Sequence, residues 1–481
     1  MEWTNIFQRR TPNTRTCWGY SFEWTDEHVS PEETDHMKHT YDVLGEECLK
    51  RLNEISPPPR SALPRNNGLY AEKTAESTVD QEDAPPPAPR DLYILLRDNA
   101  EKDPKLRELW EEINTIPDWV DWKQIERGQD VFYRYGGANL TGLAYQSLLG
   151  GMGAARVVET LARTGGFSTK VARRRLYETT QHILQCTRSL SSIQPGGAGF
   201  ASSVRVRLLH AAVRMRIMKL AADRPDYYKV DDWGVPINDL DSIGTIATFS
   251  STLVWLSLPR QGLFLRKQEI EDYIALWRYV AYLVGCPHDS FSTPSKAKAI
   301  MESLLYYEIE PTKTGAILAQ NIIASLSDNP PTYASASMLV ASARWLNGEE
   351  LCDRLGLIRP SLYYYMLMIG QCAFFCVMCY TYRSIPYLDR KKVATLKAVF
   401  YSFIVDSKFG LQGKETNFEF KYVPEYDILT DLGRRGDDVV GTRSVEWRNL
   451  KWACFAAVGL GVGLWGTVKV LGMAMRAVGI L

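Results

Sequence analysis

Residues 202–218 read SSVRVRLLHAAVRMRIM, a run without proline or glycine that carries a single histidine, His210, at its centre. On a helix advancing about 100° per residue, Arg207 and Arg214 fall within roughly 60° of His210 on one flank, and Val206, Val213 and Ile217 fall on the other. A histidine edged by cations on one side and aliphatics on the other matches what a haem requires: an imidazole for iron, apolar walls for the macrocycle and guanidinium forks for the propionates. The same pattern fits an ordinary amphipathic helix with a partly buried histidine and solvated arginines, because Arg205 and Arg216 point elsewhere.

Outward from this stretch the apolar spacing stays helical. From about Arg90 to Asn347 it predicts helices near 104–114, 138–163, 168–190, 201–222, 238–258, 267–285, 293–306 and 333–346, with little strand-like alternation, so the class is mainly α. Upstream, a helical pattern runs from about Pro31 to Ile55 with Tyr41, Leu44, Cys48, Leu49 and Leu52 on one side, as in an arm or lid helix. Between them, SPPPRSALPRNNG and EDAPPPAPR hold clustered prolines, which remove backbone donors and fix φ, so neither helix nor sheet persists there. The expected organisation is an N-terminal arm (1–55), a proline-rich linker (56–90), a main helical domain (91–350), a C-terminal helical region (351–448) and a tail (449–481).

Two apolar stretches occur in the last two parts. Ser361 to Tyr380 is free of charge and long enough to span a bilayer, and a buried core or interfacial helix fits it equally. Trp452 to Val468 is charge-free, glycine-rich and preceded by Arg443, Arg448 and Lys451, which predicts a C-terminal transmembrane helix with the preceding chain in the cytosol. In so glycine-rich a stretch, the GxxxG spacing of Gly459 and Gly463 reads as close packing rather than as a dimer signal.

The 481-residue chain balances 56 basic against 56 acidic residues, so no global field gathers nucleic acid. Nine cysteines are scattered without a CxxC pair and read as reduced thiols of a cytosol-facing protein. The N-terminus has no apolar stretch of the secretory kind. Cys372, Cys376 and Cys379 share a helix face but sit in a Tyr-, Met- and Phe-rich run, where thiols are core or lipid-facing. Gly150, Gly151 and Gly153 do not complete a dinucleotide fingerprint, and His28, His36 and His39 lie in an acidic segment and read as surface residues.

VRLLHAAVR, followed by WGVPINDLDSIGTIATFS and EIEDYIALWRYVAYLVG, and preceded by DWVDWKQIERGQDVFYRYG and TGLAYQSLLGG, resembles the catalytic domain shared by rubber oxygenases (latex clearing proteins) and the ER-bound oxygenases of the MpaB type. The likeness covers roughly residues 110–300. It implies a multi-helix domain holding haem b, with His210 as axial iron ligand, Arg207 and Arg214 supporting the haem, and dioxygen as co-substrate. It further implies Glu159 as base, with Arg175 and Thr179 as polar groups on the opposite side of the haem. One departure stands out. Some bacterial rubber oxygenases have a lysine immediately before that threonine, which can occupy the sixth iron position. Here the residue is Glu178, which puts that closed state, and polymer turnover with it, in doubt.

The expected protein is a membrane-associated, haem-dependent oxygenase, at the endoplasmic reticulum by analogy, acting on a C=C bond of a lipophilic prenyl, terpenoid or polyketide-derived substrate in secondary metabolism. Two alternatives stay open: a haem-dependent oxidase or hydroxylase that does not cleave, and a non-catalytic membrane-bound interaction protein on the same fold.

Overall fold

A computed structural model describes residues 10–58, 90–169, 171–330, 332–418, 444–455 and 469. The linker between 59 and 89 and the expected membrane tail, apart from 449–455 and 469, lie outside the described residues. Helix dominates, as the periodicity requires, and the strands among the described residues are one short hairpin, Thr14–Cys17 with Tyr20–Glu23.

The expected helix at 201–222 is Ala198–Asp223, 26 residues long, and Pro104–Asn114, Lys267–Leu283 and Pro294–Tyr307 match their expected spans within two residues. Two expected helices are broken. The run at 138–163 divides into Gly136–Thr141, a π-helical stretch at Gly142–Leu149 and Ala155–Thr164, interrupted at the glycines of 150–153. The run at 238–258 becomes Asp239–Phe249 followed by a second π-helical stretch, Leu253–Ser257. Isolated π turns accommodate one extra residue per turn and recur at functional sites; both of these line the cavity described below. Trp122–Arg134 and Lys313–Leu326 are helices that the apolar spacing alone did not single out.

One large core joins most elements, including Leu49, Leu106, Phe132, Leu184, Phe200, Leu208 and Trp277. Trp122–Arg134 lies closely against Lys267–Leu283, because Gly128 has no side chain: a Cβ there would sit 2.2 Å from the Asp272 carbonyl oxygen. The N-terminal helix is shorter than expected, Val43–Ile55, started by Asp42, whose carboxylate accepts from the Gly45 amide. It is built into the same core through Cys48, Leu49 and Leu52 rather than standing off as an arm. His28 is also not a surface residue. It is 7% exposed, stacked against Phe22 and Trp24, with Nε2 3.0 Å from Glu302.

The apolar stretch near 361–380 is the helix Leu362–Ser384, with mean hydropathy 1.6, long and apolar enough to cross a membrane. It is not a core helix. Tyr364, Met368, Cys372 and Cys379 face inward, whereas Leu362, Met366, Ile369, Phe374 and Val377 are exposed. The chain at 444–455 returns to its start, where the Tyr363 hydroxyl donates to the Glu446 carbonyl at 2.8 Å.

Candidate functional site

The helices Ala155–Thr164, Ala172–Thr187, Ala198–Asp223 and Asp239–Phe249, with both π-helical stretches, enclose a cavity of about 490 Å³, within the size range of small-molecule and cofactor sites. Its walls are chiefly aliphatic and aromatic, with Leu143, Val206, Leu209, Val213, Phe249 and Trp277 among them.

His210 lines this cavity. It sits deep in the protein yet is only part-buried, because its open surface faces the cavity rather than bulk solvent. Among the described residues its imidazole has no hydrogen-bond partner. Burial, followed by the nearby Arg214 and Arg175 charges and opposed by Asp42, pushes its pKa down to about 4. A neutral imidazole with a free nitrogen on an apolar cavity is what a metal ligand must be, since only the unprotonated ring binds. The residues present therefore fit a haem held by His210.

Arg207 and Arg214 take other partners. The Ala198–Asp223 helix is covered on more than one side, and the flank carrying these arginines packs on the N-terminal helix instead of the cavity. Arg207, 3% exposed, donates to both Asp42 oxygens at 2.7 Å and to Glu112 at 2.7 Å. Arg214 donates to the carbonyls of Pro236 and Ile237 and lies over the Tyr41 ring. Neither lines the cavity. The aliphatic flank does, through Val206, Leu209 and Val213.

Of the expected trio, Arg175 and Thr179 line the cavity and Glu159 does not. The Glu159 carboxylate is held 2.6 Å from Arg163 one turn away, and Arg163 is itself clamped over Tyr227, Tyr228 and Trp233. The carboxylate at the cavity wall on the same helix as Arg175 and Thr179 is Glu178, 3.1 Å from Arg174 and 3.8 Å from Arg175, whereas Asp241 and Glu308, which also line the cavity, are both held by Arg156. Arg175 makes only that long ion pair among the described residues, so its donors remain available to a carboxylate of a bound group. Gly166 makes room for it, since a Cβ at 166 would lie 2.7 Å from Arg175 Nε.

His182 is a second imidazole at the cavity, and no local pattern around it singles it out. Its Nδ1 lies 2.8 Å from Ser202 Oγ, and burial, then His210, pushes its pKa down to about 4. An unfolded histidine titrates near 6.5, so its contribution is fully present above that value and is lost as pH falls towards 4, where only the unfolded state takes up the proton. His182→Asn should therefore flatten the acid limb. Between pH 6 and 4 the wild type is expected to lose about 1 kcal/mol more per pH unit than the variant, read from urea denaturation of the haem-free protein.

Comparisons with known proteins bear on the family and the fold. Residues 133–368 match the family model described as ER-bound oxygenase mpaB/B'/Rubber oxygenase, catalytic domain. The chain is 22% identical over 264 residues to the rubber oxygenase of Streptomyces sp. strain K30, an alignment covering 53% of this chain and 61% of that protein. The solved structure of the latex clearing protein in its closed state superposes with a TM-score of 0.50 at 16% identity, covering 74% of this chain and 91% of the other, a likeness of fold. A 33-residue segment is 61% identical to aurantioclavine synthase of Penicillium expansum, but it covers 7% of each chain and carries no functional argument. Residues 133–368, which supply His210 and nearly all of the cavity wall, are a catalytic domain of the ER-bound oxygenase mpaB/rubber oxygenase family.

Proposed function

We propose that this protein is a haem b-dependent oxygenase that uses dioxygen to oxidise a C=C bond of a lipophilic prenyl, terpenoid or polyketide-derived molecule in secondary metabolism. The observation that carries the reading is the unpartnered, neutral His210 imidazole on an apolar cavity inside the matched domain. The bound haem would supply oxygen activation. His210 would hold the iron, Val206, Leu209 and Val213 would pack the macrocycle, and Arg175 has donors free for a propionate. Arg207 and Arg214 would support the haem from behind, by fixing the ligand helix against Asp42, Tyr41 and the Pro236–Ile237 carbonyls.

The apolar walls exclude water and orient the alkene. With haem bound, Thr179 would present its hydroxyl, and Arg175 any donor not taken by a propionate, to negative charge developing on the substrate. For cleavage, one C=C and one dioxygen give two carbonyls, so a carboxylate that takes a proton from the substrate must return it. The resemblance points to Glu159 for that task; the observed side chains favour Glu178, because Glu159 reaches the cavity only if its Arg163 ion pair opens. Glu178→Gln is expected to retain haem and lose about 100-fold or more in turnover, with Glu159→Gln within a few-fold of wild type. The reverse order would show that the Arg163 pair opens during the reaction. Mass spectrometry under isotopically labelled dioxygen tests the reaction itself: two shortened carbonyl products, each with one labelled oxygen, are expected, and a single hydroxylated product would contradict cleavage.

The reading places the protein on an intracellular membrane, the endoplasmic reticulum by its family's description, with the catalytic domain in the cytosol. The exposed apolar face of Leu362–Ser384 and the apolar sequence 452–468 support it. A lipophilic substrate partitions into the bilayer and can be collected there.

A further inference from the structure

The cavity has a second wall to which the ligand helix contributes nothing. It is built from the π-helical stretch Gly142–Leu149, the start of Ala155–Thr164, the helix Asp239–Phe249, Glu308 and Asn347. These pieces are tied together: Gln146 Nε2 donates to Asn347 Oδ1 at 3.1 Å, the Glu310 amide to the Gly153 carbonyl at 2.8 Å, and Arg156 to both Asp241 and Glu308.

Donor and acceptor bookkeeping along this wall is one-sided. Asn347 Nδ2 donates to the Tyr145 and Ala343 carbonyls, which fixes Asn347 Oδ1 as an acceptor and so fixes Gln146 Nε2 as the donor to it. The remaining atom of that amide, Gln146 Oε1, is buried without a partner on a side chain only 7% exposed. The Ser147 hydroxyl donates to the Thr248 carbonyl, Thr245 to the Asp241 carbonyl and Ser242 to the Asn238 carbonyl. Arg156 already carries two carboxylates, leaving only its Nε without a partner, and that three-residue group has a formal charge of −1. One Glu308 oxygen takes the Arg156 bond; the other has no partner among the described residues. The wall therefore offers acceptors and negative charge, with almost every donor engaged inside the protein.

We infer that this wall recognises the head group of the substrate, and that the head group is a hydrogen-bond donor, a hydroxyl or an ammonium, on a lipophilic chain. A pure hydrocarbon filling the cavity would displace water and strand these acceptors, whereas a donor head satisfies Gln146 or Glu308 and leaves the chain to the apolar wall. This rests on the proposed function for the cavity being the substrate site, and it excludes an unfunctionalised polyisoprene as the natural substrate.

The test compares three ligands with the same fifteen-carbon chain, farnesene, farnesol and farnesylamine (about fifteen carbons being short enough for a site of this class), binding to the purified full chain and read by quenching of tryptophan fluorescence. At least one of the two donor-bearing ligands is expected to bind about tenfold or more tightly than farnesene. Farnesylamine ahead of farnesol assigns an ammonium head, and the opposite order a hydroxyl. Gln146→Met and Glu308→Gln are each expected to shrink the preference over farnesene. Farnesene within about twofold of both other ligands on the wild type would overturn the inference, whatever the variants do. Binding needs no turnover, so a protein that discriminates among these ligands but takes up no haem would sink the oxygenase reading and leave the head-group site standing.

Discussion

His210→Ala is expected to abolish haem retention while leaving the fold intact. The side chain makes no hydrogen bond among the described residues and faces the cavity, so its removal would delete the proposed iron ligand without stranding a partner. The loss in haem affinity should exceed the roughly 10–100-fold typical of a residue that only orients a metal ligand. Haem content after supplementation, by pyridine haemochrome, together with far-UV circular dichroism, separates ligand loss from misfolding. His182→Asn is the control. It alters the neighbouring imidazole, which is bonded to Ser202, and should keep the haem. Equal haem loss in both variants would show that the cavity had collapsed and not that a ligand had been removed.

Arg207→Met is expected to be the most destabilising substitution on the ligand helix. Arg207 is buried, holds both oxygens of Asp42 and reaches Glu112, and Asp42 is itself the cap of the N-terminal helix. Methionine keeps most of the packing volume and strips Asp42, whose side chain is 11% exposed, of its two-pronged counter-charge, leaving only the more distant Arg214, a loss of about 3 kcal/mol. Glu112 is more than a third exposed on its side chain and adds little to that figure. Urea denaturation should show the change, and adding Asp42→Asn should recover part of it, because the stranded charge is then gone. A change within about 0.5 kcal/mol, the ordinary range of a surface substitution, would mean that the N-terminal helix does not brace the ligand helix.

The helical class was legible because 3.6-residue periodicity is a local property; the long helix of His210, Ala198–Asp223, is buried on several sides and has little apolar periodicity of its own, and it was legible as a run free of proline and, after Gly199, of glycine. What the neighbours of His210 do was not. Arg207 meets Asp42 across 165 positions of sequence, and no local pattern can show which charge waits at the end of a guanidinium. The same distance problem hid His28, whose partner Glu302 lies 274 residues away. Glu159 is different: its Arg163 partner stands at i,i+4, a pairing that helix geometry makes available from sequence alone. The resemblance favoured the carboxylate at the expected spacing, and the local ion pair turns it from the cavity. Gln146 was beyond reach, because the π-helical stretch shifts the register of every side chain in what the periodicity describes as one continuous helix from 138 to 163.

The measurement that bears most directly on the proposed haem centre is the absorption spectrum of the purified full-length protein after haem supplementation, first oxidised and then reduced with dithionite. Bound haem should give a Soret band that moves on reduction and is missing from His210→Ala. A colourless wild-type protein under these conditions would contradict the assignment of His210 as an iron ligand and, with it, the oxygenase reading.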